Sequence, residues 1–320
     1  MSQSNLHSFF TIVTAHNENH KKCFIYDSKT YKAFFISKPD DALDTFISIQ
    51  SGLKLYIRTN PTIPTYSFPQ MCVNTEMIPL LKSNLQKAIR RGHHSIAVSS
   101  ALAILQLQPI QLLRRLPIIF VEDVELIDSL PIVIWFLMAD KHYSLTSHDI
   151  NILLQIVYSL SVCSKYFNQE LVCVTKYTHE ILENKECHNE LLSLYYRSLY
   201  GGLKGDIVLL NDAIHYYSQT PQNIVRYIFI NEIIPFTIDS IVTILPEAID
   251  FHPFPTMITT ISNKTYIQKQ IIKNIIWFAE SGYNYRKPTT IQLSIEYKNK
   301  PEYSIIAIHL RNVRQTLVTM

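Results

Sequence analysis

The sequence predicts a mainly α-helical protein: a multi-helix, collar-like core, a small antiparallel β element near the N-terminus and a β-hairpin near the C-terminus. Three observations predict it. Apolar residues recur at three- and four-residue spacing through most of 77–280, the period of amphipathic helices. Residues 7–60 instead alternate and are rich in β-branched and aromatic side chains, the period of strands. Residues 290–297 and 303–310 alternate around Lys298-Asn299-Lys300-Pro301, a hairpin signature.

At 320 residues the chain exceeds one typical domain. It divides into an α+β subdomain with a proline-rich linker (1–70), a helical core (71–285) and the C-terminal hairpin (286–320). Chain ends commonly lie close together, so the hairpin is expected near the N-terminal sheet. Hydrophobic residues at 47% against charged residues at 17% supply a sizeable core and argue against disorder. A net charge of +3 is far below that of a nucleic-acid coat, so any such contact must come from a local patch.

The first residues lack the charged-then-apolar pattern of a signal peptide. The longest uncharged apolar run, 130–139, is too short to span a bilayer. Five cysteines without CxxC spacing suit free thiols in a reducing compartment. The expectation is an intracellular protein, cytoplasmic or nuclear, without a membrane partner.

Taken in order, strands are predicted over 9–13, 22–26, 32–37 and 53–58, with a polar turn at 16–19. A short helix is predicted over 40–49, capped by Asp40 or Asp41. Three prolines within 59–70 force extended backbone and mark a linker.

Residues 77–126 read as three consecutive helices dense in positive charge. In the first, Ile78, Leu81, Leu85, Ala88 and Ile89 share a face, while Lys82, Lys87, Arg90 and Arg91 gather elsewhere. Gly92 stands where a helix turns out through a left-handed residue. The second helix, 95–107, presents Ala97 and Ala101, whose small size permits close packing. The third starts at Pro109 and should bend or divide at Pro117. Further helices are predicted over 131–140, 147–162, 166–182, 189–200, 206–217, 224–230, 239–245 and 266–280, with Thr146 or Ser147 and Thr220 as caps.

Chemistry has few candidates. Of 6 glycines, three fall in Gly201-Gly202-Leu203-Lys204-Gly205-Asp206. Gly201, Gly202, Lys204 and Gly205 suit an anion-binding loop ahead of a helix N-terminus, or an ordinary break between helices with Asp206 as cap. Asp250 and His252 lie on one side if that segment is extended, and such a pair can bind a metal or orient an imidazole as a base. The weakly spaced Cys163, Cys173, Cys187 and His188 do not form the close ligand pairs of a zinc site. Glu122 and Asp123 either hold Mg²⁺ or form structural ion pairs with Arg90, Arg91 or Arg114. No nucleophile motif is present, no cofactor or metal is expected, and whether the chain is an enzyme stays open.

Leu85-Gln86-Lys87-Ala88-Ile89-Arg90-Arg91-Gly92, the small-residue helix with Ala97 and Ala101, Leu113-Arg114-Arg115, and Glu122-Asp123-Val124-Glu125-Leu126 follow in order. This segment resembles the helical C-terminal collar of clamp-loader-related ATPases of the Mgs/RarA replication-repair type. Glu125 stands where that family has glycine, and the chain has no Walker A motif. The resemblance implies a collar-like oligomerisation module without an ATPase motor. It points to an accessory protein of DNA replication or repair, with Lys87, Arg90, Arg91, Arg114, Arg115 and Lys204 on nucleic-acid backbone and other protein subunits as possible partners. The alternatives are a metal-dependent hydrolase or nuclease using Asp250, His252, Glu122 and Asp123, and a purely protein-binding scaffold.

Overall fold

Strand β1 (Cys23–Asp27) is buried along its whole length, as an inner strand must be. The computed structural model describes residues 23–37, 45–48, 53–58, 64–167, 188–226, 236–250 and 255–318. β1 pairs antiparallel with β2 (Lys32–Ile36) and parallel with β4 (Lys54–Arg58), and β4 pairs antiparallel with β3 (Thr45–Ser48). The order is β2-β1-β4-β3. The sheet is therefore mixed, not antiparallel as predicted, because β3 and β4 form their own pair and bring β4 alongside β1 in the same direction. Residues 45–48 were expected in a helix. Their backbone pairing with β4 (Phe46 opposite Tyr56) is a non-local choice that local helical pattern cannot anticipate. The predicted strand at 9–13, the turn at 16–19 and Asp40 and Asp41 lie outside the described residues.

Phe24, Tyr26, Ala33, Phe35, Leu55 and Ile57 occupy paired positions and form the buried face of the sheet. That face packs on α4 (Leu130–Ala139). Trp135 Nε1 donates to the Phe24 carbonyl at 3.1 Å, and Phe24 stacks on Phe35 at 3.8 Å. Each such aromatic contributes about 1.5–3 kcal/mol on full burial.

The helices of 77–126 form as their patterns require: α1 (Ile78–Arg90), α2 (His94–Leu107) and α3 (Pro109–Asp123). Gly92 has a φ of 69° and turns the chain out of α1. Pro117 does not divide α3. Leu113, Leu116, Ile118 and Phe120 are all buried around it, and that packing outweighs one lost backbone hydrogen bond. α5 (Ser147–Val162) starts at a full capping box between Thr146 and Asp149. α6 (Asn189–Leu199) and α7 (Lys204–Gln219) complete the larger core.

Other elements differ from expectation. Tyr166 and Phe167 are not helical, and Phe167 N–H donates to the Val124 carbonyl at 2.5 Å; residues 168–187 lie outside the described residues. Val225 forms a parallel bridge with Ile127 instead of entering a helix, and 227–230 lie outside the description. Residues 239–245 are irregular because other segments satisfy their backbone. Asn84 accepts from Leu245 N–H at 2.8 Å and donates to the Thr243 carbonyl at 2.9 Å. Helix appears only at α8 (Pro246–Ile249). The helix expected over 266–280 is α10 (Lys269–Ile275) followed by a π-helical turn (Ile276–Ser281), and α9 (Pro255–Thr265) precedes it.

The C-terminal β-hairpin is replaced by two helices, α11 (Pro288–Lys298) and α12 (Pro301–Val318). Pro288 and Pro301 stand at first helical positions, where proline favours a helix start as readily as a turn. Ile306 and Leu310 are buried in a second, smaller core with Met257, Ile261, Ile272 and Ile275, rather than against the N-terminal sheet.

Candidate nucleic-acid interface

Two charged regions hold the charged residues singled out by sequence that the structure describes. The first is a buried junction between the larger and smaller cores. α1 points Arg90 at both acids that end α3: Arg90 Nη2 meets Glu122 at 2.9 Å, and Arg90 Nε binds Asp123. Gln86 Nε2 adds bonds to Glu122 at 2.9 Å and Asp123 at 2.5 Å, and its carbonyl accepts from Arg115. Arg91 pairs with Glu247 at 3.4 Å and donates to the Glu280 carbonyl. Asp250, fully buried, is gripped by Arg314, which also reaches Glu280 at 3.0 Å.

Burial pushes the Asp250 carboxyl up, and Arg314 opposes that shift. Burial is likewise the first cause that lowers Lys87, to about 8, with Arg90 and Arg91 adding to the shift and Asp250 and Asp123 opposing it. The Lys87 ammonium donates to Ser83 Oγ at 3.1 Å.

This geometry corrects the predicted basic patch. Lys87 is buried, and the side chains of Arg90 and Arg91 retain only 13% and 10% exposure. All three face protein, because a charge on a covered helix face must be paired inside the molecule. Glu122, Asp123 and Asp250 are each met by arginine and do not converge on an open cation site. Among the described residues no group of three or more His, Cys, Asp or Glu is arranged to hold a metal ion. His252, Cys173 and Cys187 lie outside the described residues; Cys163 is a free, half-buried thiol.

Arg286, which sequence reasoning missed, completes the junction. Its buried guanidinium donates to the carbonyls of Ile89 (2.8 Å), Leu160 (2.6 Å), Ser161 (3.2 Å) and Cys163 (2.6 Å), and lies 4.5 Å from the Tyr285 ring centroid. Those carbonyls end α1 and α5, the negative poles of two helices. Asn284 and Lys287 bond the carbonyls of Asp123 and Glu122 at 2.9 and 2.7 Å. Glu125, where the resembled family has glycine, accepts from the buried Tyr217 hydroxyl.

The second region lies where α3 meets the loop between α6 and α7. Arg114 is exposed and sits 5.8 Å from the Tyr200 ring centroid; Arg115 is half-buried. Arg197 of α6 is buried beneath the loop, donating to the carbonyls of Gly201 at 2.8 Å and Arg114 at 3.1 Å. Gly201 and Gly202 have φ of 85° and 149°, and a Cβ on Gly202 would lie 3.7 Å from Arg197 Nη2. Lys204, exposed, is the first residue of α7, and Gly205 is the second. Leu203 holds the cap position, so Asp206 stands in the first turn rather than capping it.

Burial is the first cause that lowers the Arg197 guanidinium from its ordinary value; Asp206 opposes it and Arg114 and Arg115 add to it. Lys82 is lowered by burial and then by Arg115 and Arg114. Lys82 and Arg197 thus join Arg114 and Arg115 in one cationic cluster, with Lys204 exposed at the start of α7. No linear motif links Lys82 to Arg197, so only the fold could reveal them.

Compared with protein-family models, with curated proteins and with solved structures, the chain finds no match in any of the three. No helix among the described residues is long and apolar enough to cross a membrane.

Proposed function

We propose that this chain is a non-catalytic, nucleic-acid-associated protein of DNA replication or repair, holding phosphate backbone between α3 and the α6–α7 loop. One observation carries the reading. After burial, Arg114 and Arg115 are what lower both Lys82 and Arg197, so the four cations lie within electrostatic reach of one another, and Asp206 is the acid that opposes the shift at Arg197. A polyanion relieves that repulsion, and phosphate contacts of this kind carry sequence-independent affinity. The setting in replication or repair rests on the resemblance of residues 77–126 to collar helices.

The test is binding of single- and double-stranded DNA at two salt concentrations, by wild type and by Arg114→Gln/Arg115→Gln. Losing two phosphate contacts should weaken duplex binding and flatten its salt slope by about 1.8. Wild type that binds neither form at low salt refutes the reading.

A second reading, association with other protein subunits, is favoured by Ile295, Ile305 and Ile308, which stand exposed on α11 and α12. Ile305→Asp/Ile308→Asp should convert an oligomer to a monomer in light scattering. An unchanged mass for wild type and variant argues against it.

A further inference from the structure

The segment 255–279 carries Lys264, Lys269 and Lys273 and not one aspartate or glutamate. It folds into α9, α10 and the start of the π turn, and its exposed surface has a distinct make-up. Tyr266, in the turn between α9 and α10, is 94% exposed, and Trp277 is 41% exposed. Lys264, Lys269 and Lys273 are exposed beside them. Among the described residues of this segment no isoleucine, leucine, valine or methionine is exposed; all are buried or half-buried toward the smaller core.

The aromatics are held in place by the backbone. Tyr266 adopts a φ of 60°, a conformation that bulky residues avoid. Local bonds fix it there: Tyr266 N–H donates to the Ser262 carbonyl at 2.8 Å, Ser262 Oγ to the Ile267 carbonyl at 2.8 Å, and Ile267 N–H to Thr265 Oγ1 at 3.3 Å. Half-buried Ile267 packs on the core as Tyr266 turns outward. An outward aromatic kept in a costly conformation is a feature found at binding sites. Lys269, Lys273 and Trp277 recur every four residues, so they line one helix face with about 6 Å of rise between neighbours. At Trp277 the helix widens into its π turn, a form common at functional sites. A Cβ on Gly282 would lie 2.7 Å from the Trp277 carbonyl, so the turn as formed requires glycine there.

We propose that this surface is a stacking platform for single-stranded nucleic acid, in which Tyr266 and Trp277 each take a base and Lys264, Lys269 and Lys273 take the intervening phosphates. The inference rests on the reading of the chain as a nucleic-acid binder and adds selection of single strands at a separate surface. Cations interspersed with flat aromatics fit a strand whose bases are unpaired, since every base offers a π face and every linkage a charge. A duplex hides its base faces and gains only the lysine contacts. A protein-docking face would carry exposed aliphatic side chains, and this one has none among its described residues.

The experiment uses the full chain with an oligothymidine and a mixed-sequence duplex. Of the 2 tryptophans, Trp135 is 1% exposed, so quenching of tryptophan fluorescence by added strand reports Trp277. Oligothymidine should quench and duplex should not. Tyr266→Ala removes an almost fully exposed ring and leaves the fold intact; it should weaken oligothymidine binding about tenfold and duplex binding hardly at all. Trp277→Ala, checked by circular dichroism, should do the same. Lys269→Gln/Lys273→Gln should flatten the single-strand salt slope by about 1.4.

If Tyr266→Ala binds oligothymidine as wild type does, or loses both ligands equally, the platform is wrong and the α3 reading stands. If Arg114→Gln/Arg115→Gln changes nothing while Tyr266→Ala loses single strands, the α3 face is wrong and the platform stands. Wild type that binds no nucleic acid overturns both.

Discussion

Replacing Arg286 with methionine should destabilise the protein by roughly 2–3 kcal/mol, the scale for losing buried hydrogen bonds from a charged donor. The guanidinium makes four donor contacts to carbonyls of Ile89, Leu160, Ser161 and Cys163. A cation at a partly buried helix C-terminus contributes up to about 2 kcal/mol, and Arg286 serves the ends of both α1 and α5. Its stacking on Tyr285 adds about 1 kcal/mol, and desolvation of the charge offsets part of the sum. Methionine fills much of the volume but removes all four contacts; the Ile89 carbonyl keeps the Gly92 N–H at 3.2 Å and the Cys163 carbonyl the Tyr285 hydroxyl at 3.1 Å. Urea unfolding followed by circular dichroism measures the loss, and amide exchange near the ends of α1 and α5 shows where it falls. Arg286→Lys should lose nearly as much, because an ammonium cannot present a planar fork to four acceptors. A loss below about 1 kcal/mol for Arg286→Met would mean that packing alone joins these helices.

Two further outcomes follow from the same junction. Lys87 titrates near 8 in the folded protein against an ordinary value of 10.5, so the unfolded chain binds more protons between those values and stability should rise as pH climbs through that window. Lys87→Met should abolish the rise and be more stable at neutral pH by about 3 kcal/mol, measured as the difference between the two proteins' urea midpoints across pH 7–10; parallel curves would show that Lys87 keeps its proton. Gly92→Ala should cost about 1–2 kcal/mol, because Gly92 has a φ of 69° and a Cβ there would meet the Tyr285 ring at 3.2 Å. An unchanged thermal midpoint for Gly92→Ala would show that Tyr285 and the backbone yield freely.

Helical periodicity located α1, α2, α5 and α6 closely, because each buries a face against neighbours and its caps are written locally: Thr146 with Asp149, Gly92 after α1, Pro109 opening α3. The hairpin expected near the C-terminus failed for an equally local reason. Ile291, Leu293, Ile295 and Tyr297 alternate like a strand, yet α11 forms and buries only Ser294 among its residues. A helix with so little buried surface is decided by its proline start and its neighbours rather than by its own pattern. The candidate cations divided in the same way. Arg90 and Arg114 read alike in sequence as basic residues on amphipathic helices. One is enclosed between Glu122 and Asp123, and the other is open to solvent.

The sequence by itself determined the class of this protein, mainly helical with a small sheet, and most of its helix starts, because period and capping act within a few residues. Only the tertiary structure decided which charges face inward. It paired Asp250 with Arg314, placed Arg286 across two helix ends and left Arg114, Lys204, Tyr266 and Lys273 at the surface. Pairing a buried charge requires partners far apart in the chain, and no local pattern records where those partners will meet.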